Sequence, residues 1–318
     1  MKTLYLCETP QNIKNVYATD EAVYCKADIL SHPEQFECVE IIFSTWGMPQ
    51  FSEEEIKRYL PNLKAVFYGA GSVQSFAKEF LNCGVKVFSA WAANAVPVAE
   101  YTVAQIVLAN KGFFKTQRFT NMGESLKVYH QHPGNYNVKV GIIGAGMIGK
   151  LVINMLKSYN VQVLVFDPFL PDGKAEELGV TKVSLEEIFA QCQVVSNHLA
   201  NNEQTKGMLN KALFQKMLPY ATFLNTGRGA QVVESDLIEV LKQREDLTAV
   251  LDVTFPEPPQ ADSEFYTLDN CILTPHIAGS SGNEVQRMGE YMNQEYENLI
   301  KNKPCKYEVT LDMLKTMA

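Results

Sequence analysis

The sequence predicts an α/β protein of two lobes, each a doubly wound parallel sheet. Three observations carry this. Short apolar runs alternate with amphipathic stretches along nearly the whole chain, which is the signature of βα units. A polar segment, YHQHPGNYN at residues 129–137, interrupts that alternation, and the pattern then starts again. The chain has 318 residues, more than one core of ordinary size serves.

In the first hundred residues, strands are expected at 4–7, 39–43, 65–68 and 85–88. Between them, residues 53–60 read as a helix with Ser52 as N-cap and Glu55 closing a capping box. The stretch ANAVPVAEYTVAQIVLANKGFF carries apolar residues on several faces, as a long helix packed against a second lobe or subunit would. After the polar loop, strands are expected at 138–143, 161–166, 194–197, 222–225, 249–252 and 272–274, and a final helix at 289–300. If that helix returns to the first lobe, the second lobe is an insertion. The expected division is then 1–96 with 288–318, and 97–287.

Bulk properties remove several function classes. Net charge is −8 and no basic stripe appears, so a nucleic-acid partner has no electrostatic support. The start, MKTLYLCETP, is too short in apolar residues for a signal peptide, and no uninterrupted apolar run of membrane length follows. Seven cysteines at 7, 25, 38, 83, 192, 271 and 305 form no close pairs, which disfavours a disulfide framework and fits a reducing cytoplasm.

Chemistry enters with VKVGIIGAGMIGK. Gly144, Gly146 and Gly149 stand at G-x-G-x-x-G spacing between an expected strand and an expected helix. A dinucleotide pyrophosphate needs a tight turn, bare backbone and the N–H groups of a helix start. Alone the pattern also fits an ordinary turn. The next strand, however, ends in Asp167, 18 residues beyond Gly149, where an acidic side chain accepts hydrogen bonds from ribose hydroxyls. Pro168 and Phe169 follow, with no Arg or Lys to neutralise a 2′-phosphate, so NAD(H) is expected in preference to NADP(H).

Three later stretches also follow expected strands and should emerge at the carboxyl edge of the sheet, where such sheets bind ligands. ATFLNTGRGAQV places Arg228 between glycines, TAVLDVTFPEPP brings Asp252 and Glu257, and TPHIAGSSG brings His276. Each alone fits a structural role: a cap, a solvated carboxylate, a packed histidine. In this order behind a dinucleotide turn they read as a set. Hydride chemistry on a hydroxy acid needs a base for the hydroxyl proton, which imidazole supplies near neutrality, and a cation for the carboxylate, which the planar Arg fork supplies. A neighbouring Glu stabilises the imidazolium and fixes its tautomer.

With these residues the sequence resembles the D-isomer-specific 2-hydroxyacid dehydrogenase family. PVAEYTVA, GIIGAGMIGK, HLANNEQTKGMLN, FLNTGRGA, LDVTFPEPP and LTPHIAG carry the resemblance, across nearly the whole second lobe and part of the first. It implies a Rossmann NAD-binding lobe inserted into a flavodoxin-like substrate lobe, catalysis in the cleft, and a homodimer formed through the long helix after PVAEYT. Arg228 is then the ligand of the substrate carboxylate and carbonyl, His276 the acid/base and Glu257 its partner. By the same resemblance, Met147 and Ile148 are expected to give backbone contacts to the pyrophosphate. The resemblance also implies that Thr102, Leu199, Ala200, Thr205, Thr226, Gly227 and Asp252 line the cofactor and that the Gly69-Ala70-Gly71 backbone holds the carboxylate. Two stretches depart from the family pattern. Ser72, Val73 and Gln74 stand where an acidic residue is usual, and Ala200 and Asn202 replace the common Pro and Thr.

The remaining candidates carry less. His130 and His132 form an H-x-H pair on an expected exposed loop with no third ligand nearby, so no metal site is expected. His198 follows a strand and is read as lining the cofactor cleft, His32 has no supporting context, and Trp46 is read equally as a substrate wall or as core. The activity expected is interconversion of a small D-2-hydroxy acid and its 2-oxo acid. Two rival readings are an NAD(H)-responsive binding protein on the same fold and a dehydrogenase for another substrate, such as formate.

Overall fold

Each of the expected strands overlaps a strand that pairs in parallel in the computed structural model, which describes residues 2–119 and 121–315. The chain divides into two compact units, residues 1–95 with 280–318, and residues 96–279.

In the first unit, β1 (Thr3–Leu6), β2 (Val23–Tyr24), β3 (Ile41–Ser44), β4 (Ala65–Tyr68) and β5 (Lys86–Ser89) form a sheet in the order β2-β1-β3-β4-β5. All these pairings are parallel, and this is the flavodoxin-like order. One departure from an all-parallel sheet is the strand Glu308–Val309, which adds antiparallel beside β5. Every residue of β3 and β4 is buried, because helices cover both faces and leave no polar side for alternation. Side chains alternate between two core layers. Ile42, Val66 and Val87 face a layer with Phe51, Phe76 and Phe80, whereas Phe43, Phe67 and Phe88 face one with Ile13, Tyr17, Met288 and Met292.

The helix Glu284–Ile300 supplies Met288 and Met292 to that second layer, so the C-terminal segment does return to the first unit. It lies so close to the helix Pro10–Tyr17 that a Cβ on Gly289 would stand 2.0 Å from the Val16 carbonyl oxygen. The return begins at Ser280 rather than at the expected residue 288, and the Ser280 N–H donates to Asn94 Oδ1 at 2.9 Å inside the same unit. Ser52 and Glu55 form the expected capping box on the helix Glu53–Tyr59.

In the second unit, β6 (Tyr136–Ile143), β7 (Asn160–Phe166), β8 (Thr181–Lys182), β9 (Val194–Asn197), β10 (Thr222–Asn225), β11 (Thr248–Leu251) and β12 (Cys271–Leu273) form an all-parallel sheet. Their order is β8-β7-β6-β9-β10-β11-β12. The order reverses between β6 and β9, and such switch points open a crevice at the carboxyl ends of the strands. Val195, Phe223 and Leu251 face one core layer, and Val194, Leu224 and Val250 the other.

The long helix Trp91–Asn110 carries the chain from the first unit into the second. By length and composition it could cross a bilayer, yet 56% of its most apolar window is buried inside the protein. The short edge strands β2, β8 and Glu308–Val309 were not expected, since two residues give no periodicity to read.

Candidate active site

The glycine turn lies between β6 and the helix Met147–Leu156. Gly144 has φ +91°, a region open to glycine, and a Cβ there would meet the His198 carbonyl oxygen at 2.7 Å. A Cβ on Gly149 would lie 2.0 Å from the Gly144 oxygen, so this glycine lets the helix start pack on the turn. Gly146 differs: a Cβ there would meet nothing within 4 Å. The middle glycine therefore leaves open space over a helix N-terminus whose first N–H groups have no intrahelical partner. These are the features a pyrophosphate uses, and the turn fits a dinucleotide. Asp167 at the end of β7 accepts from the Ala145 N–H at 2.7 Å and the Phe169 N–H at 2.8 Å, which ties the turn to the next strand's end.

Arg228 follows β10. Its Nη1 donates to the Gly227 carbonyl at 2.8 Å. Burial lowers the guanidinium pKa from its ordinary value and the Glu257 charge acts against that shift, so the group remains a cation. Gly229 makes room for this loop: a Cβ there would fall 2.0 Å from the Thr254 carbonyl carbon. Thr226 is buried, and its hydroxyl lies 3.1 Å from that of Thr102 on the long helix.

Behind Arg228 three fully buried amides meet: Asn197 at the end of β9, Asn225 at the end of β10, and Gln231. Asn197 Nδ2 donates to Asn225 Oδ1 at 3.0 Å and to Gln231 Oε1 at 2.5 Å. Gln231 Nε2 donates to the Leu199 and Ala200 carbonyls at 2.8 and 3.0 Å, and Gln231 Oε1 accepts from the Arg228 N–H at 3.3 Å. Sequence reasoning passed over Gln231, whose one available signal was an amide in an otherwise apolar run, GAQVV.

His276 and Glu257 meet directly, Nδ1 to Oε1 at 2.6 Å, with both side chains part exposed. The imidazole stands on a turn of φ +54°, and the buried Asp252 holds that turn. Its Oδ1 accepts from the Thr274 hydroxyl at 2.6 Å and the Ile277 N–H at 2.9 Å, and its Oδ2 accepts from the Ala278 N–H at 3.0 Å. Tyr101 on the long helix reaches the Thr274 hydroxyl at 3.2 Å. The Glu257 loop has its own support, as the Phe255 N–H donates to Glu234 Oε1 at 2.8 Å.

Other candidates fall as follows. Thr205 closes the loop after β9 on itself, donating to the Ala200 carbonyl at 2.7 Å. His198 is buried, with Nε2 2.9 Å from the Ser196 hydroxyl, and burial pushes its pKa down to about 3, so the ring is neutral. His132 is a correction: it is not on an exposed loop but half-buried, bonded through Nδ1 to the Val128 carbonyl at 3.0 Å and edge-on to Tyr220. The bare Gly112 backbone beside it, where a Cβ would clash with the ring, makes that packing possible. His130 is exposed, and among the described residues no three ligand-type side chains gather as a metal site. In the first unit, Gly69 N–H pairs with the Ser44 carbonyl, while the N–H groups of Ala70 and Gly71 donate to no partner among the described residues. Trp46 after β3 is 39% exposed, so it is not core.

Comparisons with known proteins bear on the family and the fold. Residues 103–278, more than half of the chain, match the family model described as D-isomer specific 2-hydroxyacid dehydrogenase, NAD binding domain. A formate dehydrogenase of Chaetomium thermophilum is 32% identical over 270 residues, covering 80% of this chain and 73% of that protein. A D-3-phosphoglycerate dehydrogenase of Archaeoglobus fulgidus is 29% identical over 232 residues, 73% of this chain, which spans only 44% of that enzyme's length. The crystal structure of the apo form of D-mandelate dehydrogenase from Rhodotorula graminis superposes with a TM-score of 0.79 at 19% identity, covering 97% of each chain, a likeness of fold.

Proposed function

The chain belongs to the D-isomer-specific 2-hydroxyacid dehydrogenases, and on that premise we propose that it interconverts a small D-2-hydroxy acid and its 2-oxo acid with NAD(H). The observation that carries this is the 2.6 Å contact between His276 and Glu257 at the carboxyl edge of the sheet that bears the dinucleotide turn. Glu257 accepts a hydrogen bond from Nδ1–H and orients the ring, leaving Nε2 for the substrate oxygen. In reduction His276 gives its Nε2 proton to the C2 oxygen, and in oxidation it takes that proton back. Arg228 binds the carboxylate with its planar fork and polarises the C2 carbonyl. The dinucleotide, when bound, supplies the hydride for reduction and receives it in oxidation. Gly144, Gly146, Gly149 and the Met147 and Ile148 N–H groups would hold its pyrophosphate, Asp167 its ribose, and Thr102, Leu199, Ala200, Thr205, Thr226, Gly227 and Asp252 its remaining length.

The run Asp167-Pro168-Phe169 offers no cation for a 2′-phosphate and supports NAD(H) over NADP(H). Exposed Phe113, Phe119, Met122 and Leu126, close behind the long helix, support a homodimer, and seven free thiols support a reducing cytoplasm. Likeness to a formate dehydrogenase favours formate as a second reading. Formate has no hydroxyl proton to move, which leaves the His276–Glu257 pair without that role. The test is NADH oxidation against 2-oxo acids of graded size and charge, with NADPH and with formate plus NAD⁺ as further arms. Turnover of an oxo acid with NADH bears the proposal out. Turnover of formate alone, or NADH binding without any turnover, sinks it, the latter in favour of an NAD(H)-responsive binding protein.

A further inference from the structure

Parallel pairing between β9 and β10 ends at Asn197 and Asn225. Beyond that pair, among the described residues, no backbone hydrogen bond joins residues 198–200 to residues 226–228. The two loops nevertheless carry the backbone assigned to the cofactor and the cation assigned to the substrate. Gln231 spans them. Its side chain is wholly buried, and each of its four hydrogen-bonding positions is used. Both Nε2 protons go to the first loop, at the Leu199 and Ala200 carbonyls. Oε1 accepts from the Arg228 N–H on the second loop and from Asn197 Nδ2. The same amide crowds Gly227, where a Cβ would stand 3.1 Å from Gln231 Oε1 and 3.0 Å from Asn197 Nδ2.

We propose that Gln231 is a positioning residue for the reaction proposed above: its amide sets the Arg228 loop against the Leu199–Ala200 loop, so that substrate cation and cofactor backbone are held in one geometry. The inference rests on that functional reading. An amide is the one uncharged side chain of this length that offers two donors and an acceptor together. An apolar side chain of the same size would leave the Arg228 N–H, one Asn197 Nδ2 hydrogen and the Leu199 carbonyl without these partners, while the Ala200 carbonyl would keep only the Thr205 hydroxyl, and a carboxylate would set negative charge against those two carbonyls.

Two variants separate the halves of the contact. Gln231→Glu keeps the acceptor for Arg228 and Asn197 and loses the two donors, whereas Gln231→Leu loses everything. Three quantities are measured on wild type and variants: the NADH dissociation constant by nicotinamide fluorescence, KM for the best 2-oxo acid, and Tm. Gln231→Glu is expected to raise the NADH constant about tenfold with the oxo-acid KM within about twofold of wild type, and Gln231→Leu to raise both about tenfold. A purely structural role would lower Tm and leave both constants of the folded protein at wild-type values, and that result overturns the proposal. Should Gln231→Leu not fold, Gln231→Glu decides alone. Wild type that binds NADH but reduces no acid refutes the functional reading, while the fluorescence arm still decides whether Gln231 holds the cofactor loop. Wild type that binds no NADH overturns both.

Discussion

The two units use one βα pattern and finish it differently. In the first unit the sheet is covered by a run of rings: Phe67 stacks on Phe88 at 4.7 Å, Phe43 on Phe67 at 5.3 Å, and Tyr296 stands edge-on to Phe43 and Phe67. In the second unit the ends of adjacent strands bury Asn197, Asn225, Gln231, Thr226 and Asp252, all hydrogen-bonded. Apolar burial is non-directional and scales with area, whereas a buried polar network holds its geometry only while every partner is present. Stability should therefore be the quantity most easily changed in the first unit, and ligand geometry in the second.

The largest expected effect that would break this contrast is in the first unit. Phe67→Ala removes a fully buried ring and should cost about 3–5 kcal/mol in denaturant unfolding, with the NADH dissociation constant of the folded protein unchanged. A raised constant would mean that the aromatic layer shapes the cofactor site after all. In the second unit, His198 makes stability depend on pH. Burial holds its folded pKa near 3, while an unfolded histidine titrates at about 6.5. Below about pH 6.5 the unfolded chain binds a proton that the folded one refuses, so stability falls as pH drops from there towards 3 and is unaffected above. Unfolding free energies at pH 7.5 and pH 5 should show wild type losing about 2 kcal/mol more than His198→Gln. Equal losses would show that the ring is charged inside the fold.

The glycine turn gives the smallest and sharpest contrast. Gly146→Ala adds a methyl where nothing stands within 4 Å, so Tm without ligand should stay at wild type while the NADH constant rises roughly tenfold. Gly149→Ala instead drives a methyl into the Gly144 oxygen and should lower Tm without ligand. Weaker NADH binding by both with equal Tm would show that the two glycines do the same work.

How much of this was legible in the sequence follows the same contrast. β4, β9 and β10 fall on their expected residues: β4 reads as an unbroken apolar run, and in β9 and β10 an apolar pair is followed by the polar residues that close the strand. Arg228, Glu257 and His276 could be picked out because polar residues after such runs must emerge at the sheet edge. The direct contact between His276 and Glu257, 19 residues apart, follows from the fold and not from spacing. Gln231 was not legible, because its burial exists only once the loops after β9 and β10 meet over it. Nor was the use of Asp252, whose two oxygens hold the histidine turn. His132 misled for a related reason: the glycine that admits its ring lies 20 residues earlier.

The central claim is that His276, oriented by Glu257, moves the hydroxyl proton. The most direct test is the kcat for NADH-dependent reduction of the best 2-oxo acid by wild type and His276→Ala, with NADH affinity measured on both. The account predicts a fall of about 10²–10⁴-fold at nearly unchanged NADH affinity. Turnover of His276→Ala close to wild type would contradict it.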